Sequence, residues 1–443
     1  TSWANAWQSI GAMSGLAAGD TVYISAPDGG TQTYSFSDVF PTVNGSSGGG
    51  RITYQIGQDV GHRGTVIFNQ TSVGFSNGAL INGASYMNFI GDAGDGLKHF
   101  QLSGTLTSLL ILQGTDTNVR MAYFDMGTFV GRVGSVNPGT HIELDHIDGI
   151  FPGYLNMDAA LIFNVTGSTW DENLVHDCDW DIPWNSTNSN NGSDGVKPGG
   201  GSYSIYNMNI HSTDRSTFMT TEHSDGIQAL GPGSFIKAYN NRFTNMSNYG
   251  NYWEATNGVF NHLWVYNNIA SVTNSNLGTH SSGGFVVEQK IAGTMNDIVL
   301  ANNTVVDLQP VGSRAITMLA NGNGTYTNSV LANNLLVNSN TVERDAGTPT
   351  PSGNVNITGA NAATYLVSYT LYGGSSNNLH LTSAASTVIG AGADLSAYFT
   401  VDKDGLTRTA PWDVGAFKYV AAGGAGGSQM AGKISLSGKV TIK

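Results

Sequence analysis

Five short stretches, Tyr206-Asn207-Met208, Tyr239-Asn240-Asn241, Tyr266-Asn267-Asn268, Ala301-Asn302-Asn303 and Ala332-Asn333-Asn334, each set an asparagine after an aromatic or small apolar residue and lead into a short apolar alternation. From Asn207 through Asn240, Asn267 and Asn302 to Asn333 the steps are 33, 27, 35 and 31 residues. A period of that size with loops of varying length marks a solenoid, and corners of Gly and Asn mark β-coils rather than helical pairs. Piled on itself from coil to coil, the asparagine is expected to form an internal ladder, its amide bonding the turn backbone and the next asparagine.

A repeat also accounts for the length. A chain of 443 residues would ordinarily divide into domains unless its core grows along one axis. Charged residues are 11%, hydrophobic residues 40% and glycines number 59, a profile suited to short strands and many turns. A net charge of −13 with 18 Lys and Arg excludes nucleic acid or an anionic membrane as the natural partner, because both need a basic patch. No apolar run reaches the ~20 residues that span a bilayer. The single cysteine, Cys178, excludes an internal disulfide and is expected to be a small buried hydrophobe. The chain opens on Thr1, and processing is expected to have removed a preceding segment.

A second column runs beside the first: Asp148-Gly149-Ile150, Asp194-Gly195-Val196, Asp225-Gly226-Ile227 and Asn257-Gly258-Val259. On consecutive coils these acids would stand about 4.8 Å apart. Residues 1–50 read as an N-terminal cap, 51–420 as the solenoid, and 421–443 as a Gly-rich linker with a C-terminal strand. In that strand Ile434, Leu436, Val440 and Ile442 share one apolar face. Eleven residues cannot bury such a face alone, so it is expected to pack on its own solenoid or to join a neighbouring subunit, making a homo-oligomer.

The opening Ser2-Trp3-Ala4-Asn5-Ala6 with Ala18-Gly19-Asp20-Thr21-Val22-Tyr23-Ile24, and the closing Asp402-Lys403-Asp404-Gly405 with Trp412-Asp413-Val414-Gly415-Ala416, resemble the secreted proteins of the pectate-lyase-like superfamily. The closing element is similar to that of a bacterial subgroup with variable C-terminal anchors. This resemblance implies an all-β, single-stranded right-handed parallel β-helix, located outside the cell or on a cell or virion surface. It also implies a polysaccharide partner, met by binding or by cleavage of the lyase or hydrolase type.

Seven of the ten His lie between His141 and His280, and five of the eight Trp between Trp170 and Trp264. Sugar faces stack on aromatic rings while hydroxyls seek carboxylates, so Trp180, Trp184, Trp253 and Glu254 are candidates for glycan binding. Asp194, Lys197, Glu222, His223 and Asp225 are the catalytic candidates. Two close carboxylates, Asp194 and Asp225, can act as acid and base on a glycosidic bond. Alternatively Asp194, Asp225 and Asn257 hold Ca²⁺ while Lys197 or His223 takes a proton from a uronate. Glu288-Gln289-Lys290 is a further candidate. Beside these stands a purely structural reading, in which a rigid rod joins its neighbours through residues 433–443 as part of a fibre, sheath or virion surface.

Overall fold

The computed structural model describes residues 3–36, 43–71, 79–104, 110–114, 116–128, 134–151, 159–183, 194–212, 224–273, 283–308, 314–321, 324–339, 342–345 and 347–421. Three rows of parallel strands run through it. The first climbs from Thr21–Ile24 through Ile52–Ile56, Ser85–Ile90, Thr117–Thr128, Gly134–Ile150, Leu174–His176, Tyr203–Tyr206, Gly233–Tyr239 and Phe260–Tyr266 to Gly293–Ala301. The second lies past a two-residue corner and carries Asp179–Asp181, Asn209–His211, Arg242–Thr244, Ile269–Ser271, Thr304–Val306, Leu335–Val337 and Val355–Ile357. The third holds Ala159–Val165, Asp194–Pro198, Ile227–Ala229, Tyr249–Ala255, Gly283–Gln289, Ile316–Leu319 and Val342–Arg344. Each strand pairs with its counterpart one coil away, so the chain is a right-handed parallel β-helix.

Alternation along each strand decides what faces in. Ile205, Ala238, Val265, Leu300 and Leu331 repeat at one inward position and are buried. Near the N-terminal end the core is aromatic, with Tyr54 stacked on Phe89 at 4.8 Å and Phe100 edge-on to Phe124 at 5.4 Å.

The five asparagines do stand in register at the corner, and all are left-handed, with φ between 51° and 57°. Asn tolerates that backbone better than most residues because its short side chain bonds locally. The internal ladder, however, is built one residue later, by Asn241, Asn268, Asn303, Asn334 and Asn354. Each Oδ1 from Asn268 on accepts the Nδ2–H of the preceding coil's member at 2.9–3.1 Å. Each Nδ2 from Asn241 to Asn334 also donates to a strand carbonyl, as Asn303 does to Val265 at 3.0 Å. A left-handed residue turns its side chain outward and aims the next one into the corner, which is why two asparagines are needed. In earlier coils Met208 and Cys178 hold the ladder position. Cys178 is buried as expected, and its Sγ substitutes for an amide, accepting the Ile147 N–H at 3.4 Å and donating to the His176 carbonyl at 3.1 Å.

The outward asparagines hold a strap formed by residues 383–419. Asn267 Nδ2 donates to the Val401 carbonyl at 2.9 Å, Asn302 Nδ2 to Asp413 and Gly415 at 3.0 Å, and Asn333 Nδ2 to Ala393 at 2.9 Å. Buried Arg408 donates to Asn267 Oδ1 at 3.0 Å and to the carbonyls of Asp413, Gly415 and Ala416. Phe399 lies on Tyr266 at 4.2 Å, ending a stack of His176, Tyr206, Tyr239 and Tyr266 with 4.5–5.0 Å between rings.

Two boundaries differ from expectation. Thr21–Ile24, placed in the cap, is already a rung of the helix. Among the described residues the last rung is Val355–Ile357, after which come an α-helix, Gly359–Tyr365, and an antiparallel pair, Leu366–Ser368 with Asn378–Leu381. Residues 433–443 lie outside the described residues. No helix among the described residues is long and apolar enough to cross a membrane.

Candidate functional site

Asp194 and Asp225 do occupy one position on adjacent coils, and both are buried. Their carboxylates are engaged by the backbone and by Gln228. Asp194 Oδ1 accepts the Asp225 N–H at 2.9 Å; Asp225 Oδ1 accepts the Tyr249 N–H at 2.7 Å, and its Oδ2 accepts Gln228 Nε2 at 3.2 Å. The column continues to Tyr249 rather than Asn257, because this coil is only 24 residues long. Asn257 falls in the turn after Tyr249–Ala255, so the expected calcium triad of Asp194, Asp225 and Asn257 is not assembled. Asp148 belongs to a different row, aligned with Asp125.

Trp180 and Trp253, expected as glycan platforms, are core residues, since both are fully buried. Trp180 Nε1 donates to the Ile147 carbonyl at 2.8 Å, which fixes the indole inside the coil. Trp184, Glu222 and His223 lie outside the described residues.

The outward side of the third row gathers the remaining candidates. Gln228 pairs with Tyr252 on the next coil, Lys197 stands one coil before Gln228, and Glu254 pairs with Glu288. Lys290 Nζ lies 2.8 Å from Glu254 Oε1 and 3.8 Å from Glu288 Oε2. The Tyr252 hydroxyl donates to Glu288 Oε2 at 2.7 Å and Asn321 Nδ2 to Oε1 at 2.8 Å, while Arg314 reaches Glu288 at 3.8 Å. Burial alone would raise the Glu288 carboxyl, but these hydrogen bonds and the Lys290 and Arg314 charges outweigh it and hold the group below its ordinary value. Burial would lower Lys290, yet its bond to Glu254 and the two carboxylates hold it above the usual ammonium value. Burial and the adjacent Glu288 both raise the Tyr252 phenol. The site therefore sets a fixed ammonium, a guanidinium and the carboxyl groups of Glu254 and Glu288 along the coils.

A second cluster, not anticipated, sits on the first row. Arg120 forks onto Asp145, Nε to Oδ1 at 2.8 Å and Nη2 to Oδ2 at 2.9 Å, and its Nε lies 3.3 Å from Glu143. His176 Nδ1 is 2.7 Å from Asp177 and its Nε2 is 3.5 Å from Glu143. Burial opposes the charged imidazole, but Asp177, Glu143 and Asp145 prevail and raise its pKa to about 9. The alternation in His141-Ile142-Glu143-Leu144-Asp145 carries the signal for this cluster, with apolar residues inward and acids outward.

Glu143, Asp145 and His176 bring three donor atoms within 4.8 Å, so the group can chelate a metal ion. It does not fit calcium. Ca²⁺ takes six to eight oxygens, whereas here one of the three donors is an imidazole and both Asp145 oxygens are engaged by Arg120.

Fold and faces together define a β-helix protein with charged clusters on two outward sheet faces. Among solved structures the chain is similar to the crystal structure of pectate lyase Pel9A, at 12% identity over 91% of this chain and 89% of that one, with a TM-score of 0.38. It is also similar to the crystal structure of alginate lyase from Paenibacillus sp. str. FPU-7, at 14% identity over 69% and 92%, with a TM-score of 0.26. No protein-family model and no curated protein matches it.

Proposed function

We propose that the chain is an extracellular or surface protein that binds an acidic polysaccharide along the outward face of the third strand row and cleaves it by elimination. The observation that carries this reading is the Tyr252–Glu288–Lys290–Glu254 network with Arg314. In a chain of net charge −13 with only 18 Lys and Arg, it sets two cations and two carboxylates on adjacent coils. A glycan lying along the solenoid axis meets one coil every ~4.8 Å, close to the length of one sugar. Its carboxylate pairs with Lys290 or Arg314, drawing the ammonium from Glu254. Glu254 then takes the proton beside that carboxylate as the bond to the glycosidic oxygen breaks, leaving a double bond, and water protonates the departing oxygen.

The test is incubation with polyuronates and neutral glucans, following ultraviolet absorbance for unsaturated ends and gel retardation for binding. A K290A/R314A variant is expected to lose polyuronate retardation at least tenfold. Wild-type protein that neither retards on nor cleaves any polyuronate refutes the reading.

A further inference from the structure

A different face gathers half-buried aromatic rings, of which Trp264 also packs on the cluster under the strap and lies edge-on to Tyr398 at 5.4 Å. Phe235, His262 and Asp297 stand in register on adjacent coils at the other bend of the first row, with φ of 59°, 52° and 58°. Asn118 and Asn328 hold the same left-handed position elsewhere in that row, at φ of 55° and 49°. A small polar residue thus serves the bend, and a bulky one there costs about 1–2 kcal/mol. Tyr86 and His141 also hold this position, with φ of 51° and 54°, so the bend itself admits an aromatic ring; what sets Phe235 and His262 apart is that they lie together with further rings. The two stack at 4.7 Å and are half-buried.

Beside them, outward-facing Lys237 and Trp264 pair on adjacent strands. Trp170, from the turn before Leu174–His176, reaches over both coils. It meets Trp264 at 4.3 Å, Phe235 edge-on at 5.4 Å and His262 at 6.1 Å. Polar groups are set among the rings. Lys237 Nζ lies 5.0 Å from the Trp170 ring and 2.7 Å from Asp171. Asp297 holds His262 Nδ1 at 2.7 Å and accepts from Trp264 Nε1 at 3.2 Å.

We propose that Trp170, Phe235, His262 and Trp264, with Lys237, Asp171 and Asp297, form a second glycan site that takes a neutral hexose chain. Sugar C–H faces stack on aromatic rings, and carboxylates and an ammonium set between the rings match ring hydroxyls. Two carboxylates against one lysine disfavour a polyanion, which separates this ligand from the acidic one of the third row. The site stands on the first strand row and shares no residue with the Lys290 network.

Affinity electrophoresis in gels holding a soluble mixed-linkage β-glucan, a galactomannan or polygalacturonate tests it on the full chain. Wild type is expected to be retarded by at least one of the two neutral glycans. W170A should lose that retardation tenfold or more, W170F should recover part of it, and K290A/R314A should keep it. D297N, which loosens His262 and Trp264 without removing a ring, should weaken it severalfold and serves if W170A fails to fold by thermal melting. No retardation by either neutral glycan, or full retardation of a folded W170A, overturns the proposal. So does a W170A that changes only the sedimentation of the protein alone, since the patch would then be a contact between copies of this chain.

Discussion

Replacing Asn303 by Ala removes the middle of the internal ladder. Its Oδ1 accepts the backbone N–H and the Nδ2–H of Asn268, both at 3.0 Å, and its Nδ2 donates to the Val265 carbonyl at 3.0 Å and to Asn334 Oδ1 at 3.1 Å. Some partners keep a substitute: Asn268 Nδ2 still reaches the Ala238 carbonyl, and Asn334 Oδ1 still receives the Asn303 N–H. The Asn268 backbone N–H loses its acceptor at a fully buried site, a loss of roughly 1–3 kcal/mol. The missing bond to Val265 and the void left behind bring the expected destabilisation to about 3–5 kcal/mol. The comparison is N328A, exposed at a left-handed bend, which should cost about 1 kcal/mol. Guanidinium unfolding followed by far- and near-ultraviolet circular dichroism measures both, two probes being needed because long repeats can unfold in parts. An N303A midpoint indistinguishable from that of N328A would refute the ladder as a source of stability.

Burial raises the Asp116 carboxyl to about 7, against 3.8 for a free aspartate, and its Oδ2 has no hydrogen-bond partner. The folded state binds this proton more tightly, so stability should fall by about 4 kcal/mol as pH rises from 3.8 to 7; D116N should flatten that slope in pH-dependent melting curves. His176 has the opposite sign of charge but the same direction. Its pair energy, about 3 kcal/mol, is fully present below pH 6.5 and is lost as pH rises through about 9, and H176Q should remove that loss. R408A should free the strap, detected as rapid proteolysis within residues 383–419 while the coils resist.

The repeat was legible because the left-handed corner admits few residues, so Asn207, Asn240, Asn267, Asn302 and Asn333 mark it in the sequence. Which asparagine of each pair turns inward was not, since that depends on the backbone handedness at the first. The Asp-Gly column was read correctly at Asp194 and Asp225 and lost at Asn257, because spacing cannot separate a short coil from a long one with a loop. Trp180 and Trp253 misled for a related reason: an aromatic beside acids reads as a sugar platform until strand parity places it inside. Parity was also the missed signal for Glu143 and Asp145, whose alternation with Ile142 and Leu144 sends both outward. The Glu254 and Lys290 pairing needed the register of two strands 34 residues apart, which no local pattern supplies.

Because the strap touches Asn240, Asn267, Asn302 and Asn333 through Lys403, Val401, Asp413 and Ala393, it works as a ruler laid across four windings. Inserting or deleting one winding between Asn240 and Asn333 would shift its anchor points by ~4.8 Å and leave them mismatched. Among the described residues, windings before Asn207 carry no such gauge. Growth or shrinkage of this solenoid during evolution should therefore have been confined to its N-terminal part, with the strapped part fixed in number.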